Sequence, residues 1–312
     1  MSDKLIYTYN YLRDLYRITR GRDKIKPQMY AEKKMLSIDL SNQLIAQAIT
    51  ENKPYYACRL GSGELGVIAD YEALKIGIKR HYSMKKFDLL TNNAGFFPYD
   101  TCYIEKFSEL YFDSISQADI IGVWYNILEE YILKKYAYCA SPTPLPALEP
   151  WNSITPWSTA LKGKRIVVIH PFSDSIEKQY RKRAYLFENE NILPEFHLRT
   201  VRAVQTIAGN NDDRFSTWFD ALNFMYDQVM SEDFDVAILG CGAYGLPLGA
   251  MLKKAEKVVI HMGGATQILF GIKGKRWDKI EAVSKMYNEY WVRPGNSEIV
   301  DKSNNIEGGC YW

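Results

Sequence analysis

Three short runs in the second half of this chain are almost wholly apolar, and each ends where the backbone must turn. Arg165-Ile166-Val167-Val168-Ile169-His170 stops at Pro171, Asp235-Val236-Ala237-Ile238-Leu239 runs into Gly240, and Lys257-Val258-Val259-Ile260-His261 runs into Met262-Gly263-Gly264. A strand exposed on one face alternates apolar with polar residues, whereas one covered on both faces does not. Stretches with helical spacing, at 174–187, 215–230 and 246–254, separate these runs, and 199–207 reads as a further strand. Strand and helix in alternation predict a parallel sheet with helices on its faces.

The first half repeats the pattern. Ser37 to Glu51 reads as a helix capped by Asp39 or Ser41, with Leu44, Ile45, Ala48 and Ile49 inward. Tyr55 to Leu60 reads as a strand, a helix starts near Leu65, and a helix from Ile104 to Ile115 leads to the strand Ile120–Trp124. Between the halves, 142–150 holds four prolines, Pro142, Pro144, Pro146 and Pro150, which forbid helix and disfavour a central strand. The expected organisation is an α/β half at 1–140, a Pro-rich connector at 141–150 and a Rossmann-like half at 151–312. The fold class is α/β, a Rossmann-like, mostly parallel sheet with helices on both faces and an N-terminal helical extension. Ligands of such sheets sit outside the carboxyl ends of the strands.

Bulk chemistry narrows the function. Hydrophobic residues make up 47% of the chain and the formal net charge is +2, which argues against a dedicated nucleic-acid binder but not against a local site for a small anion. The 23 tyrosines offer flat surfaces for sugar rings and nucleobases, or for the core. Five widely spaced cysteines without a C-x-x-C pair argue against a disulfide framework or a structural zinc site. The N-terminus lacks an apolar signal-like run, so a cytoplasmic protein is expected. The basic stretch Tyr11–Arg17, with Leu12, Leu15 and Tyr16 on one side, is either a packed helix or a peripheral contact with the inner face of the membrane.

Four constellations carry possible chemistry. Gly240-Cys241-Gly242-Ala243-Tyr244-Gly245 follows a buried strand and opens a helix, a context in which backbone N–H groups approach a phosphate; the alternative is that its glycines allow close helix–strand packing. The following strand ends in His261 where a dinucleotide fold has an acid. At a second strand end, His170, Ser173, Ser175 and Gln179 offer either donor contacts or simple capping. Gly263 and Gly264, with Lys273, Lys275 and Arg276 downstream, pair flexible backbone with bases suited to a diphosphate, or form a solvated loop. Finally, Arg59-Leu60-Gly61-Ser62-Gly63-Glu64 delivers an arginine and a carboxylate on a glycine turn, where Glu64 is a base, a metal ligand or a helix cap.

That last turn resembles the R-F-G-D-G-E turn of the GT-D-type glycosyltransferases, bacterial Rossmann-like enzymes that use nucleotide-sugar donors. Arg59, Gly61, Gly63 and Glu64 match, and Ser62 stands where the family has Asp. The resemblance implies a D-x-E-type Mn or Mg site at Glu64, from which the Ser62 replacement removes one carboxylate. The Gly240 and Gly263-Gly264 segments also resemble features of bacterial proteins of surface-polysaccharide loci. The function expected is transfer of a sugar from a nucleotide-sugar to a glycan or lipid-linked glycan, with Arg59 and Glu64 catalytic and Trp124 and Asn126 on the acceptor side. The alternatives are a Rossmann-type oxidoreductase or methyltransferase, and a non-catalytic nucleotide- or glycan-binding protein.

Overall fold

The computed structural model of the protein describes residues 2–21, 27–210, 212–306 and 308–312. Residues 22–26 of the basic N-terminal stretch thus lie outside the described residues. In chain order the elements are α1 (Asp3–Thr19), a short antiparallel pair β1 (Met29–Tyr30) and β2 (Lys33–Lys34), α2 (Ile38–Glu51), β3 (Tyr55–Arg59), α3 (Ser62–Lys75), α4 (Met84–Ala94) and α5 (Ile104–Ser116). Then come β4 (Ile120–Val123), α6 (Glu129–Tyr136), β5 (Ser141–Pro144), β6 (Arg165–His170), α7 (Ser173–Tyr180) and β7 (His197–Arg202). The chain ends through α8 (Trp218–Met230), β8 (Val236–Leu239), α9 (Gly245–Lys254), β9 (Val258–His261), α10 (Thr266–Leu269), α11 (Lys275–Asp278) and α12 (Glu281–Ser284).

Seven strands form one sheet in the order β5-β4-β3-β9-β8-β6-β7, and every neighbouring pair is parallel. The apolar runs are its centre. Along β6 and β8, Val167, Ile169, Ala237 and Leu239 enter one core while Ile166, Val168, Val236 and Ile238 enter the other. This two-residue alternation, apolar on both sides, is why the runs carry no polar positions.

The Pro-rich segment does not stand apart as a connector. Ser141–Pro144 is the edge strand of the same sheet, so strands from both halves share one sheet. Ser141 N–H donates to Asp119 O across the ladder, while Pro142 O accepts from Leu36 N on the other side. The prolines therefore fall at alternate positions whose missing N–H would face away from β4, an edge-strand setting that tolerates them.

Other boundaries moved for local reasons. Ser37 caps α2, accepting from Leu40 N–H at 3.1 Å, whereas Ser41 bonds Thr143 and Asp39 accepts from Ser153. The helix after β6 ends at Tyr180 instead of near Phe187, and a 3-10 turn at Arg183–Tyr185 then buries Leu186. On α1 the packed face is Tyr7 and Asp14; Leu12 and Tyr16 face out, with Leu5 and Tyr9 completing an exposed stripe. The inward choice is electrostatic as well as apolar, since Asp14 accepts from Leu128 N–H, and Arg13 and Arg17 pair with Glu130.

The topology positions the site. β3 and β9 lie side by side, the first strand of the sheet next to the last. α3, following β3, packs Leu65 and Ile68 into one core, and α10, following β9, packs Ile268 and Leu269 into the other. Two helices diverging to opposite faces leave a crevice at the carboxyl ends of the strands between them.

Candidate functional site

A cleft of about 750 Å³ fills that crevice. Its floor is Arg59, the last residue of β3, whose guanidinium carbon lies 4.1 Å from the ring centroid of Trp124, just past β4. Burial is the main influence lowering the Arg59 pKa; Glu64, Tyr311 and Glu149 oppose it, and Arg276 adds to it. An arginine stays charged through such a shift. Gly263 makes room for it: at φ +62° its backbone already favours glycine, and a Cβ there would meet Arg59 Nη1 at 2.9 Å. Arg276, on α11, lines the same cleft with its guanidinium carbon 4.9 Å from the Tyr311 ring centroid. Two guanidiniums and two aromatic rings thus share one opening.

Three titratable groups face them. Glu64 is the third residue of α3, and a Cβ on Gly61 would meet its Oε2 at 2.1 Å, so its carboxyl folds over the start of its own helix. Burial raises its pKa, against its own backbone N–H and Arg59. Glu149, which sequence reasoning passed over, lines the cleft from the turn after β5. Burial pushes its carboxyl up to about 7, against a hydrogen bond from Asn152 Nδ2 at 3.0 Å and the charge of Arg59. The only sequence signal for Glu149 is an acid between Leu148 and Pro150, both of which are buried. His261, at the end of β9, is pushed down to about 3 by burial and secondarily by Arg59, so it is neutral. Its Nδ1 has no hydrogen-bond partner among the described residues.

The Gly240–Gly245 turn divides between packing and binding. A Cβ on Gly240 would meet His170 Cδ2 at 2.4 Å, and one on Gly245 would meet His261 Nε2 at 2.3 Å. Ala243 and Tyr244 are buried, the tyrosine stacked on Trp218 at 4.7 Å between centroids. Gly242 alone of the three glycines presents open backbone, at φ +58° with Ala94 O 3.8 Å from a Cβ position. It lines both the main cleft and an adjoining cavity of about 80 Å³ beside His170 and Gly240.

Of the residues singled out in the sequence, Arg59, Gly61, Ser62, Gly63, Glu64, Trp124, Gly242, His261, Gly263, Gly264 and Arg276 line the main cleft. Others do not. Ser175 bonds Glu298 and Gly295, and Gln179 donates to Gly271 O and Tyr290 O; both fasten α7 to the C-terminal segment. Ser173 is buried at the start of α7, with Asp174 3.5 Å from its hydroxyl. His170 accepts from Phe172 N–H on Nδ1 and lines the small cavity, not the main cleft. Lys273 lies over the Tyr287 ring and Lys275 donates to Gly308 O. Asn126 lines a different cleft, described below.

The donor set does not fit a divalent cation. Ser62 offers an exposed hydroxyl, Glu64 folds onto Gly61 beside Arg59, and no three His, Cys, Asp or Glu side chains converge among the described residues. The positive charge of the cleft is supplied by Arg59 and Arg276. The arrangement suits an anion held by guanidiniums, a ring against an indole, and a proton taken by a carboxyl that is half ionised near neutrality.

No protein-family model matches the chain, and no curated protein matches it. Two solved structures do, each at 12% identity over 86% of this chain and 93% of its own. One, with a TM-score of 0.41, is a selenomethionine-substituted structure of domain of unknown function 1792. The other, at 0.40, is described as that domain having a distinct glycosyltransferase fold.

Proposed function

We propose that the chain is a glycosyltransferase of the GT-D type, moving a sugar from a nucleotide-sugar donor to a bacterial surface-glycan acceptor. The observation that carries this is the meeting of Arg59, Arg276, Trp124 and Glu149 in one cleft at the switch point of the sheet. In the proposed arrangement the donor diphosphate lies between the two guanidiniums and the open backbone at Gly242 and Gly263–Gly264. The acceptor oxygen forms a bond to the anomeric carbon as the bond from that carbon to the diphosphate oxygen breaks. The leaving electron pair stays on the diphosphate, where preorganised positive charge stabilises it. The acceptor hydroxyl proton passes to the Glu149 carboxylate, and Glu64 keeps Arg59 and the first turn of α3 in place.

In this reading the two arginines do the work of a metal, so EDTA leaves turnover unchanged. Loss of activity in EDTA, restored by Mn²⁺ or Mg²⁺, contradicts it. Peripheral contact with an anionic lipid surface belongs to the same proposal. It is supported by the α1 stripe of Leu5, Tyr9, Leu12 and Tyr16, each 58–61% exposed. No described helix is long and apolar enough to cross a membrane. Co-sedimentation with phosphatidylglycerol vesicles, and not with phosphatidylcholine vesicles, is the expected result.

The test of the function is calorimetry with UDP-, GDP-, CDP- and dTDP-sugars. One of them binds, and Arg276→Ala weakens it at least tenfold. Binding of none by the folded protein sinks the proposal; binding without transfer or hydrolysis favours the non-catalytic alternative.

A further inference from the structure

We infer that a second cleft, across the first turn of α3 from the first, receives the acceptor, and that this acceptor is an amphiphile with a phosphate head and an apolar tail. The inference rests on the donor reading of the main cleft. The second cleft is about 600 Å³, with Tyr7 and Tyr11 of α1, Leu65 and Ala69 of α3, Ile78 and Leu128 among its walls. Ser62 lines both clefts, so they adjoin at the start of α3. Next to it, a Cβ on Gly63 would find nothing within 4 Å, which leaves room for a group passing between them.

Three features set the class of ligand. The walls are largely aliphatic and aromatic, as an apolar chain requires. Lys79 and Lys86 also line the cleft, and both ammoniums sit on a single oxygen of Asp70, at 2.5 and 2.7 Å. Asp70 also accepts from Ser83 N–H, and its side chain is 2% exposed. Two cations on one carboxylate leave one positive charge over, and no acidic side chain is among the described residues that line the cleft. Third, Asn126 is 5% exposed, lines the cleft, and its Nδ2 has no hydrogen-bond partner among the described residues. A buried donor left without an acceptor costs about 1–3 kcal/mol, which a phosphate oxygen would recover.

The backbone joins this cleft to the first. Glu129, buried at the start of α6, accepts from both Trp124 N–H and Asn126 N–H at 3.0 Å, and Asp14 accepts from Leu128 N–H at 2.9 Å. One braced loop therefore holds Trp124 in the main cleft and Asn126 in the second. A ligand with its tail against α1 and its phosphate at Lys79, Lys86 and Asn126 extends the hydroxyl-bearing glycan carried on that phosphate past Ser62 into the main cleft, where the hydroxyl faces Glu149.

The probe is decyl phosphate below its micelle concentration, titrated into the full chain by calorimetry, with decanol and inorganic phosphate as controls. Expected is saturable 1:1 binding at least tenfold tighter than either control. Thr8→Trp, which fills the cleft from an exposed position on α1, abolishes it, and Asn126→Leu weakens it about tenfold. Circular dichroism melting of each variant separates lost binding from lost folding. Absence of saturable binding, or wild-type affinity in folded Thr8→Trp, overturns the inference while leaving donor binding as a separate result. Decyl phosphate binding by a chain that binds no nucleotide-sugar overturns the acceptor role.

Discussion

Replacing Glu149 by Gln is the perturbation that most sharply separates chemistry from architecture. The substitution keeps the size of the side chain and an oxygen for the bond from Asn152 Nδ2. In the folded protein the carboxyl is pushed up to about 7 from its ordinary 4.5, because burial disfavours the charged form more than Asn152 and Arg59 favour it. At 1.36 kcal/mol per unit, that shift makes the ionised group about 3 kcal/mol less favourable than in the unfolded chain. A base so placed is about a tenth ionised at pH 6 and about nine-tenths at pH 8. With the donor identified, kcat/KM of the wild type rises about tenfold per pH unit below 7 and levels off above it. Glu149→Gln loses about 10²- to 10⁴-fold and the inflection near 7 together. Stability moves the opposite way. A raised folded pKa means that the group's stability contribution is complete below 4.5 and is lost as pH rises through 7. Glu149→Gln is therefore as stable as the wild type at pH 4 and more stable at pH 8, by at most about 3 kcal/mol in urea unfolding. Activity within twofold of wild type, with the inflection near 7 retained, refutes the role of Glu149 as base.

Glycine substitutions test the division of labour in the turns. Gly245→Ala drives a methyl into His261 and lowers stability by about 1–3 kcal/mol, read as a fall in the thermal midpoint. Gly242→Ala meets open space, so its strain is limited to the positive φ, about 1 kcal/mol, and its larger effect is on donor affinity by calorimetry. Glu129 is also raised to about 7 by burial, while His170 and His261, held down to about 3, favour the folded state as pH rises toward 6.5; the two trends oppose each other in the wild type, so the carboxyl contribution is read as the stability gain of Glu149→Gln over wild type, absent at pH 4 and present at pH 8. A gain that is the same at pH 4 and pH 8 contradicts the raised Glu149 carboxyl.

The strands covered on both faces were legible because burial alone dictates their composition; β6 matches its apolar run residue for residue. The turn at Arg59–Glu64 was legible for the same local reason, a strand delivering residues onto glycine. What local pattern does not contain is the partner across the fold. Ser175 and Gln179 read as donor contacts until Glu298 and Gly271, about a hundred residues away, claim their hydrogen bonds. Glycines 240 and 245 read as phosphate-binding until His170 and His261 fill the space beside them. The outward stripe of α1 was hidden because Asp14, a charged residue, faces inward to meet Leu128 N–H. Glu149 was hidden by its neighbours: proline density marked the segment as a connector, and the edge-strand pairing just before it is made with β4, about twenty residues earlier, and shows only in the folded sheet.

The central claim is that the cleft between β3 and β9 holds a sugar diphosphate between Arg59 and Arg276. It is tested most directly by a crystal structure of the protein with its nucleotide-sugar or the matching nucleoside diphosphate bound. The expected result is phosphate oxygens within about 3 Å of both guanidiniums, beside Gly242 and Gly263. A diphosphate held instead in the small cavity at His170 and Gly240, with Arg59 and Arg276 untouched, would contradict it.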